Sequence, residues 1–374
     1  MTGRETNSRS QLYVGLMSGT SLDSIDAGLF ELKNNTVSMI AAIEYPIADG
    51  LRQQLIDLCQ PGDNEIDRLG AADRELGLAF SRATQQLLLA NNIEKSAVIA
   101  IGSHGQTIRH RPEMEYGFTT QIGDPNTIAF ETEITTVADF RRKDIAAGGQ
   151  GAPLAPAFHQ AAFSSKNVNR VIVNIGGMAN ISILGSSGYC SGFDTGPGNI
   201  LMDEWIHRNQ QKKYDKDGAW AAKGKSIGRL LASFLEHPFI AKKTPKSTGR
   251  EDFNLAWLAA TLGEQVYKTE DVQATLLEFT ARSLVNEIDK LSIEIDEVYI
   301  CGGGAYNLQL MRRIETLLHP RPLATTTALG IPPEWVESAA FAWLAQQTLD
   351  RKNGNICRVT GAIREVVLGA VYYP

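Results

Sequence analysis

The sequence predicts an α/β protein of two related domains with mixed sheets, and three observations carry that prediction. Strand-like apolar runs leave into three glycine-rich turns, Met17-Ser-Gly-Thr-Ser-Leu-Asp-Ser-Ile-Asp26, Asn174-Ile-Gly-Gly-Met-Ala-Asn180 and Cys301-Gly-Gly-Gly-Ala-Tyr-Asn307. The first two turns share one layout, strand, polar glycine tip, strand, so the halves of the chain read as a duplicated core. At 374 residues the chain also exceeds the size at which one hydrophobic core stops growing.

In order, Tyr13 to Met17 reads as a strand, a turn follows, and Ala27 to Leu32 returns as its partner. Leu69, Leu76, Phe80, Ala83 and Leu87 keep near-helical spacing, and Ala97 to Ile101 then reads as a buried strand that exits through Gly102-Ser-His-Gly-Gln-Thr107. The second half opens with Val171 to Ile175, the Gly176-Gly177 tip and Asn180 to Leu184. Leu277, Ala281, Leu284, Ile288 and Leu291 mark one face of a helix that leads into Val298-Tyr-Ile300 and the third glycine turn. Leu310, Ile314 and Leu317 continue a helix after it. The boundary is placed near Asp139, giving domains over residues 11–138 and 139–374, with the last residues free to pack back on the first domain.

Composition removes several function classes. A net charge of −6, with no basic block longer than Arg141-Arg142-Lys143, gives no field for a polyanion, so nucleic acid is not an expected partner. No apolar run reaches membrane-spanning length and Met1 to Ser10 is polar, so a cytoplasmic protein with a frayed start is expected. Cys59, Cys190, Cys301 and Cys357 are scattered without metal-ligand spacing, which argues against structural zinc and a disulfide framework.

Glycine lets backbone amides approach an anion, and Ser/Thr-rich turns add hydroxyl donors, so the three turns together suit a split nucleotide cradle. The single-loop fingerprints fail: Gly224-Lys225-Ser226 has Ala219 where a P-loop needs its first glycine, and no Gly-x-Gly-x-x-Gly occurs. Phe193-Asp-Thr-Gly-Pro-Gly-Asn199 places Asp194 just before a probable helix start, where amides could orient it or a neighbouring anion; a helix cap by Asp194 or Asn199 is the plainer alternative. Glu337 lies on a helix opened by Pro332 and Pro333, either facing a ligand or solvated. His104 and Gln106 suit a polar ligand such as a sugar or form a satisfied loop pair. Arg141 to Asp144 with Gly148 to Gly151 reads equally as a ligand-facing loop or a solvated one, and the role of Lys246 to Arg250 stays open.

Seven ordered strings together resemble the 1,6-anhydro-N-acetylmuramic acid kinases of bacterial peptidoglycan recycling: Gly15-Leu-Met-Ser-Gly-Thr-Ser-Leu-Asp23, Gly102-Ser-His-Gly-Gln-Thr107, Asp139-Phe-Arg-Arg142, Gly148-Gly-Gln-Gly-Ala-Pro153, Phe193-Asp-Thr-Gly-Pro-Gly-Asn199, Pro245-Lys-Ser-Thr-Gly-Arg-Glu251 and Cys301-Gly-Gly-Gly-Ala-Tyr-Asn307. The match runs from about Leu12 to the C-terminus. The resemblance implies two related actin/hexokinase-like α/β domains with mixed sheets flanking an interdomain ATP and sugar cleft, closing by hinge motion. It implies ATP-binding by Gly19, Thr20, Ser21, Leu22, Asp23, Ser24, Ile25 and Asp26 in a first phosphate loop, by Gly176 and Gly177 in a second, and by Gly302, Gly303, Gly304 and Asn307 on the adenosine side. Asp194 matches the family's catalytic base and Glu337 its sugar-positioning glutamate; His104 and Gln106 join as substrate-side residues. Mg2+ is implied with ATP, anchored by Asp23 or Asp26 through water, and a homodimer is the family expectation. Ser24 stands where this loop often carries glycine, so strain is expected there if the position needs positive φ. Water would open the anhydro bridge while O6 takes the γ-phosphoryl group. An ordinary hexosamine kinase and a nucleotide-gated interaction protein of the Hsp70 or actin kind are the alternatives.

Overall fold

The structure, a computed structural model, describes residues 11–19, 22–33, 36–244 and 246–374. Thr20 and Ser21 of the first loop, Pro245, and the polar start Met1 to Ser10 lie outside the described residues. The chain divides into two compact units, one of residues up to Ala162 together with Trp335–Pro374, the other Phe163–Glu334. Asp139 therefore lies inside the first unit. The segment that follows it is tied there by the C-terminal stretch, since Gln150 donates its N–H to the carbonyl of Thr360 at 2.7 Å.

In the first unit the apolar alternation of β1 (Gln11–Ser18) pairs antiparallel with β2 (Ser24–Lys33), which pairs antiparallel with β3 (Thr36–Pro46). On its other side β1 runs parallel to β4 (Val98–Ser103). A small hairpin of β5 (Gln106–Arg111) and β6 (Phe118–Ile122) leaves the sheet, which continues with β7 (Thr136–Ala138) parallel to β4 and ends on the C-terminal strand Ala370–Tyr372. Helix Glu65–Ala90 buries Leu76, Phe80, Ala83 and Leu87 of the face its spacing predicts, in one core with Val14, Leu16 and Leu29, while Leu69 of that face is only partly buried against it. On a strand alternate residues face opposite ways, so Gly15 presents the other side of β1. There helix Val336–Leu349 lies directly on the sheet: a Cβ on Gly15 would stand 1.8 Å from the carbonyl oxygen of Ser338, and one on Gly102 2.0 Å from that of Phe341. Glycine at these two positions is what lets the helix that carries Glu337 seat.

The second unit repeats the plan. Strands β8 (Arg170–Ile175), β9 (Met178–Leu184) and β10 (Cys190–Pro197) run antiparallel in turn, and β8 continues parallel to β11 (Glu297–Cys301) and then β12 (Leu323–Thr325). The order β10-β9-β8-β11-β12 repeats β3-β2-β1-β4-β7 with the same pairing senses, the duplicated mixed α/β core that the two hairpins predict. Helix Thr269–Asp289 packs Leu276, Leu277, Phe279, Leu284 and Ile288 into a core with Val173, Ile181 and Ile300; Leu291 lies past the end of the helix and only partly buried against that core.

Candidate active site

In the second unit Asp194 lies within β10 opposite Asn180, and the ladder slips between Asp194 and Gly196. Such a bulge re-aims a side chain out of the regular pleat. Thr195, the extra residue, is buried and donates its hydroxyl to the carbonyl of Ala179 at 3.2 Å. The Asp194 backbone N–H donates to the carbonyl of Lys246 at 3.1 Å. One carboxylate oxygen, Oδ2, accepts both the Ser247 hydroxyl and the Thr248 N–H, each at 2.9 Å. Oδ1 accepts no hydrogen bond among the described residues. Burial raises the Asp194 carboxyl above its ordinary value, the two bonds to Thr248 and Ser247 oppose that, and Glu251 adds to the rise.

The helix start that the sequence offered as a cradle for Asp194 is otherwise employed. Gly198 and Ile200 donate their N–H groups to the carbonyl of Gly177 at 2.8 and 3.1 Å, and Asn199 donates to that of Gly176 at 2.8 Å. Those amides are therefore committed to the Gly176-Gly177 turn and do not hold Asp194. Asp194 caps nothing either, and Asn199 precedes helix Ile200–Gln210 with its side-chain amide turned to the carbonyl of Ile175. Locally, the glycine tip and helix start form one rigid corner.

The third glycine turn opens on a cavity of about 480 Å³ whose walls include Asn199, Asp203, Tyr214, Gly303, Tyr306 and Asn307. Asn307 also caps helix Leu308–Leu318, accepting the Leu310 N–H at 3.0 Å. Asp203 is pushed up to about 7 by burial and by the like charges of Asp215 and Glu204. Tyr306 donates its hydroxyl to Glu334, which together with burial holds the phenol well above its usual range.

In the first unit, between β1 and β2, Leu22 donates its N–H to the carbonyl of Gly19 at 3.2 Å. The left-handed residue is Leu22, at φ 57°, while Ser24 already belongs to β2 and is not among the positive-φ residues. The conditional strain at Ser24 therefore does not arise. Leu22 and Ile25 are buried in the core, so only their backbones can meet a ligand. Asp26 sits opposite Met17 in the hairpin, and Asp23 pairs with Arg52 at 3.1 Å.

Past β4, His104 and Gln106 are both buried. Gln106 donates Nε2 to the carbonyl of Thr107 at 3.1 Å and leaves Oε1 buried without a partner among the described residues. His104 meets Arg141 Nε through Nε2 at 3.0 Å and the Gly105 carbonyl through Nδ1 at 2.8 Å, with its ring 4.7 Å from that of Phe341. Arg141 also donates to the carbonyl of Gly151 at 2.8 Å. Glu337 is exposed to solvent; its carboxyl is raised by desolvation from the surrounding protein and drawn back by the Arg141 charge. Arg141 thus links three of the motifs, and Gly151 is fixed in turn by its N–H to Asp144 Oδ2 at 2.7 Å.

A family model described as anhydro-N-acetylmuramic acid kinase matches residues 11–374. The chain belongs to the anhydro-N-acetylmuramic acid kinase family. Like its family, it is a sugar kinase that draws its phosphoryl group from ATP. A curated relative of that name from Shewanella pealeana (strain ATCC 700345 / ANG-SQ1) is 53% identical over 362 residues, covering 96% of this chain and 98% of that one. Another from Shewanella amazonensis (strain ATCC BAA-1098 / SB2B) is 52% identical over 361 residues, with the same coverage. Among solved structures, the activator of the 2-hydroxyisocaproyl-CoA dehydratase from Clostridium difficile with bound ADPNP aligns at a TM-score of 0.44 and 13% identity, covering 93% of this chain and 99% of that one.

For this anhydro-N-acetylmuramic acid kinase family member, sequence reasoning missed Ser247 and Thr248 as the partners of Asp194, and Asp203 and Tyr214 in the cavity wall. Asp203 had a signal, since it follows Asn199 by one helical turn on the same face. The bonds to Asp194 span 53 and 54 residues and leave none.

Proposed function

We propose that this enzyme opens 1,6-anhydro-N-acetylmuramic acid with water and phosphorylates O6, giving N-acetylmuramic acid 6-phosphate and ADP, as a cytoplasmic step of cell-wall recycling. The observation that carries the reading is the divided Asp194 carboxylate. Oδ2 is held by Ser247 and Thr248 while Oδ1 is unengaged among the described residues, as a general base needs to be if it is both oriented and able to take a proton. Burial raises its affinity for that proton.

In this mechanism Asp194 takes a proton from water as the oxygen bonds to the anomeric carbon. The bond from that carbon to O6 breaks, and O6 takes the γ-phosphoryl group, so ADP leaves. Charge on the departing oxygen is relieved by phosphorus, which removes the need for the second carboxyl group of an ordinary glycosidase. Gly19 to Asp26 and the Gly176-Gly177 turn serve the phosphates, and the cavity beside Gly303 and Asn307 serves the adenosine, with room for a base and ribose. Glu337, Gln106 and the His104–Arg141 pair serve the sugar.

No group of three or more His, Cys, Asp or Glu side chains among the described residues could cage a metal. That fits Mg2+ carried mainly by phosphate and water, with Asp23 as a water-mediated anchor. When bound, the ion neutralises charge on the β- and γ-phosphates.

Reaction in H2-18O tests the bond order directly. Label is expected on the anomeric oxygen of the product; label in inorganic phosphate, with unopened sugar, would instead mark plain ATP hydrolysis. Phosphorylation of N-acetylmuramic acid in preference to its anhydro form would favour the ordinary hexosamine kinase.

A further inference from the structure

The loop that holds Asp194 is itself held by an ion pair buried in the second unit. Lys246 and Glu287, from helix Thr269–Asp289, approach to 3.3 Å with side chains only 1% and 5% exposed. The Lys246 ammonium also donates to the carbonyls of Phe239 and Ile240, at 3.4 and 3.2 Å, and lies 4.8 Å above the Phe239 ring. Four residues beyond Thr248, Asp252 accepts the Thr248 hydroxyl at 2.7 Å, and Phe253, fully buried, stands edge-on to Phe239. The stretch from Lys246 to Phe253 is therefore pinned at both ends, and three consecutive residues at its start, through a carbonyl, a hydroxyl and an N–H, meet Asp194.

An ion pair taken out of water costs desolvation that an apolar pair of similar volume avoids, so stability alone does not call for lysine here. What the ammonium adds is direction. It is a donor that must face two carbonyls and a carboxylate at once, which fixes the backbone of the next two residues. We propose that Lys246, through its buried pair with Glu287, is a positioning residue for phosphoryl transfer, setting the Ser247 and Thr248 donors against Asp194. The inference rests on the reading of Asp194 as the base.

Release of the loop removes the two bonds that lower the Asp194 carboxyl, while burial and Glu251 still raise it. A general base works deprotonated, so the acid limb of the kcat profile moves to higher pH. The other charges facing this region are Asp252 at Thr248 and Lys242 and Lys290 around Lys246, with Lys290 also 2.7 Å from Glu287.

The test is the double variant Lys246→Met/Glu287→Met, which removes the pair without stranding either charge in the core. Expected are a cooperative melt, a KM for ATP within a few-fold of the parent, kcat lower by roughly ten-fold to a hundred-fold, and an acid limb displaced upward. A merely structural pair lowers thermal stability alone, so a folded double variant with parental kcat and an unmoved acid limb overturns the proposal. Should the double variant not fold, Glu287→Gln leaves Lys246 its two carbonyls and is read by the same two measures. Asp194→Asn run alongside separates the two failures: if it keeps near-parental turnover the base assignment is lost, whereas if it is inactive and the double variant is parental only the positioning role is lost.

Discussion

Arg141 donates its Nε–H to Nε2 of His104 at 3.0 Å, which settles the state of the histidine. A guanidinium only donates, so Nε2 must accept and the proton must sit on Nδ1, where it is given to the Gly105 carbonyl. Burial and the Arg141 charge both hold His104 well below its ordinary value. The imidazole is a fixed acceptor for the guanidinium that Glu337 faces.

His104 is therefore expected to stay neutral from about pH 5 to 8, where a free imidazole titrates. The sign for stability follows: below the unfolded value near 6.5 the unfolded chain takes up a proton that the folded one refuses, so stability falls as pH drops through that range and is full above it. His159, lowered to about 3 by burial, acts in the same direction. Imidazole 15N shifts followed against pH check this, and a His104 midpoint near 6.5 would contradict it.

Gly15→Ala and Gly102→Ala should each destabilise the first unit by about 3 kcal/mol or more, because the added carbon meets helix backbone that cannot rotate away. Gly19→Ala is the control, with nothing within 4 Å of its added carbon. Denaturant midpoints for the three variants decide the matter; equal midpoints would mean the helix seats without the glycines.

Gln106→Met keeps the volume of the side chain and removes the buried acceptor Oε1. If that oxygen receives a sugar hydroxyl or amide, the KM for the sugar should rise about ten-fold while the KM for ATP holds. An unchanged sugar KM would return Gln106 to a loop role.

Local chemistry explains what the sequence made legible. Both hairpins follow from apolar runs broken by glycine, and the faces of helices Glu65–Ala90 and Thr269–Asp289 follow from residues recurring every three or four positions. The return of Trp335–Pro374 to the first unit is a packing outcome, made by glycines on β1 and β4 that accept a helix from far along the chain. Leu22 in a left-handed conformation carries no sequence mark, whereas the neighbouring serine invited the wrong suspicion. Around Asp194 the sequence displayed the carboxylate and the loop Lys246 to Glu251 separately. Their meeting depends on the bulge at Thr195 and on a buried lysine, neither of which has a local signature.

Asp203 offers the most direct check on the nucleotide side. Its carboxyl, lifted to about 7, still holds a proton in the folded protein over a range where the unfolded chain, with a value near 3.9, has lost it. The unfolded state then binds fewer protons, so stability falls as pH rises from about 4 to 7 and the cost is constant above. Asp203→Asn removes this and should raise the melting temperature at pH 8 relative to the parent. Binding runs the other way. A carboxylate facing ribose hydroxyls accepts best when ionised, so nucleotide affinity in the parent should increase through about pH 7. In Asp203→Asn that increase should vanish, leaving affinity little changed at pH 6 and about ten-fold weaker at pH 8. Titration of ADP at the two pH values reads both effects, and parallel profiles for parent and variant would place the adenosine away from this cavity.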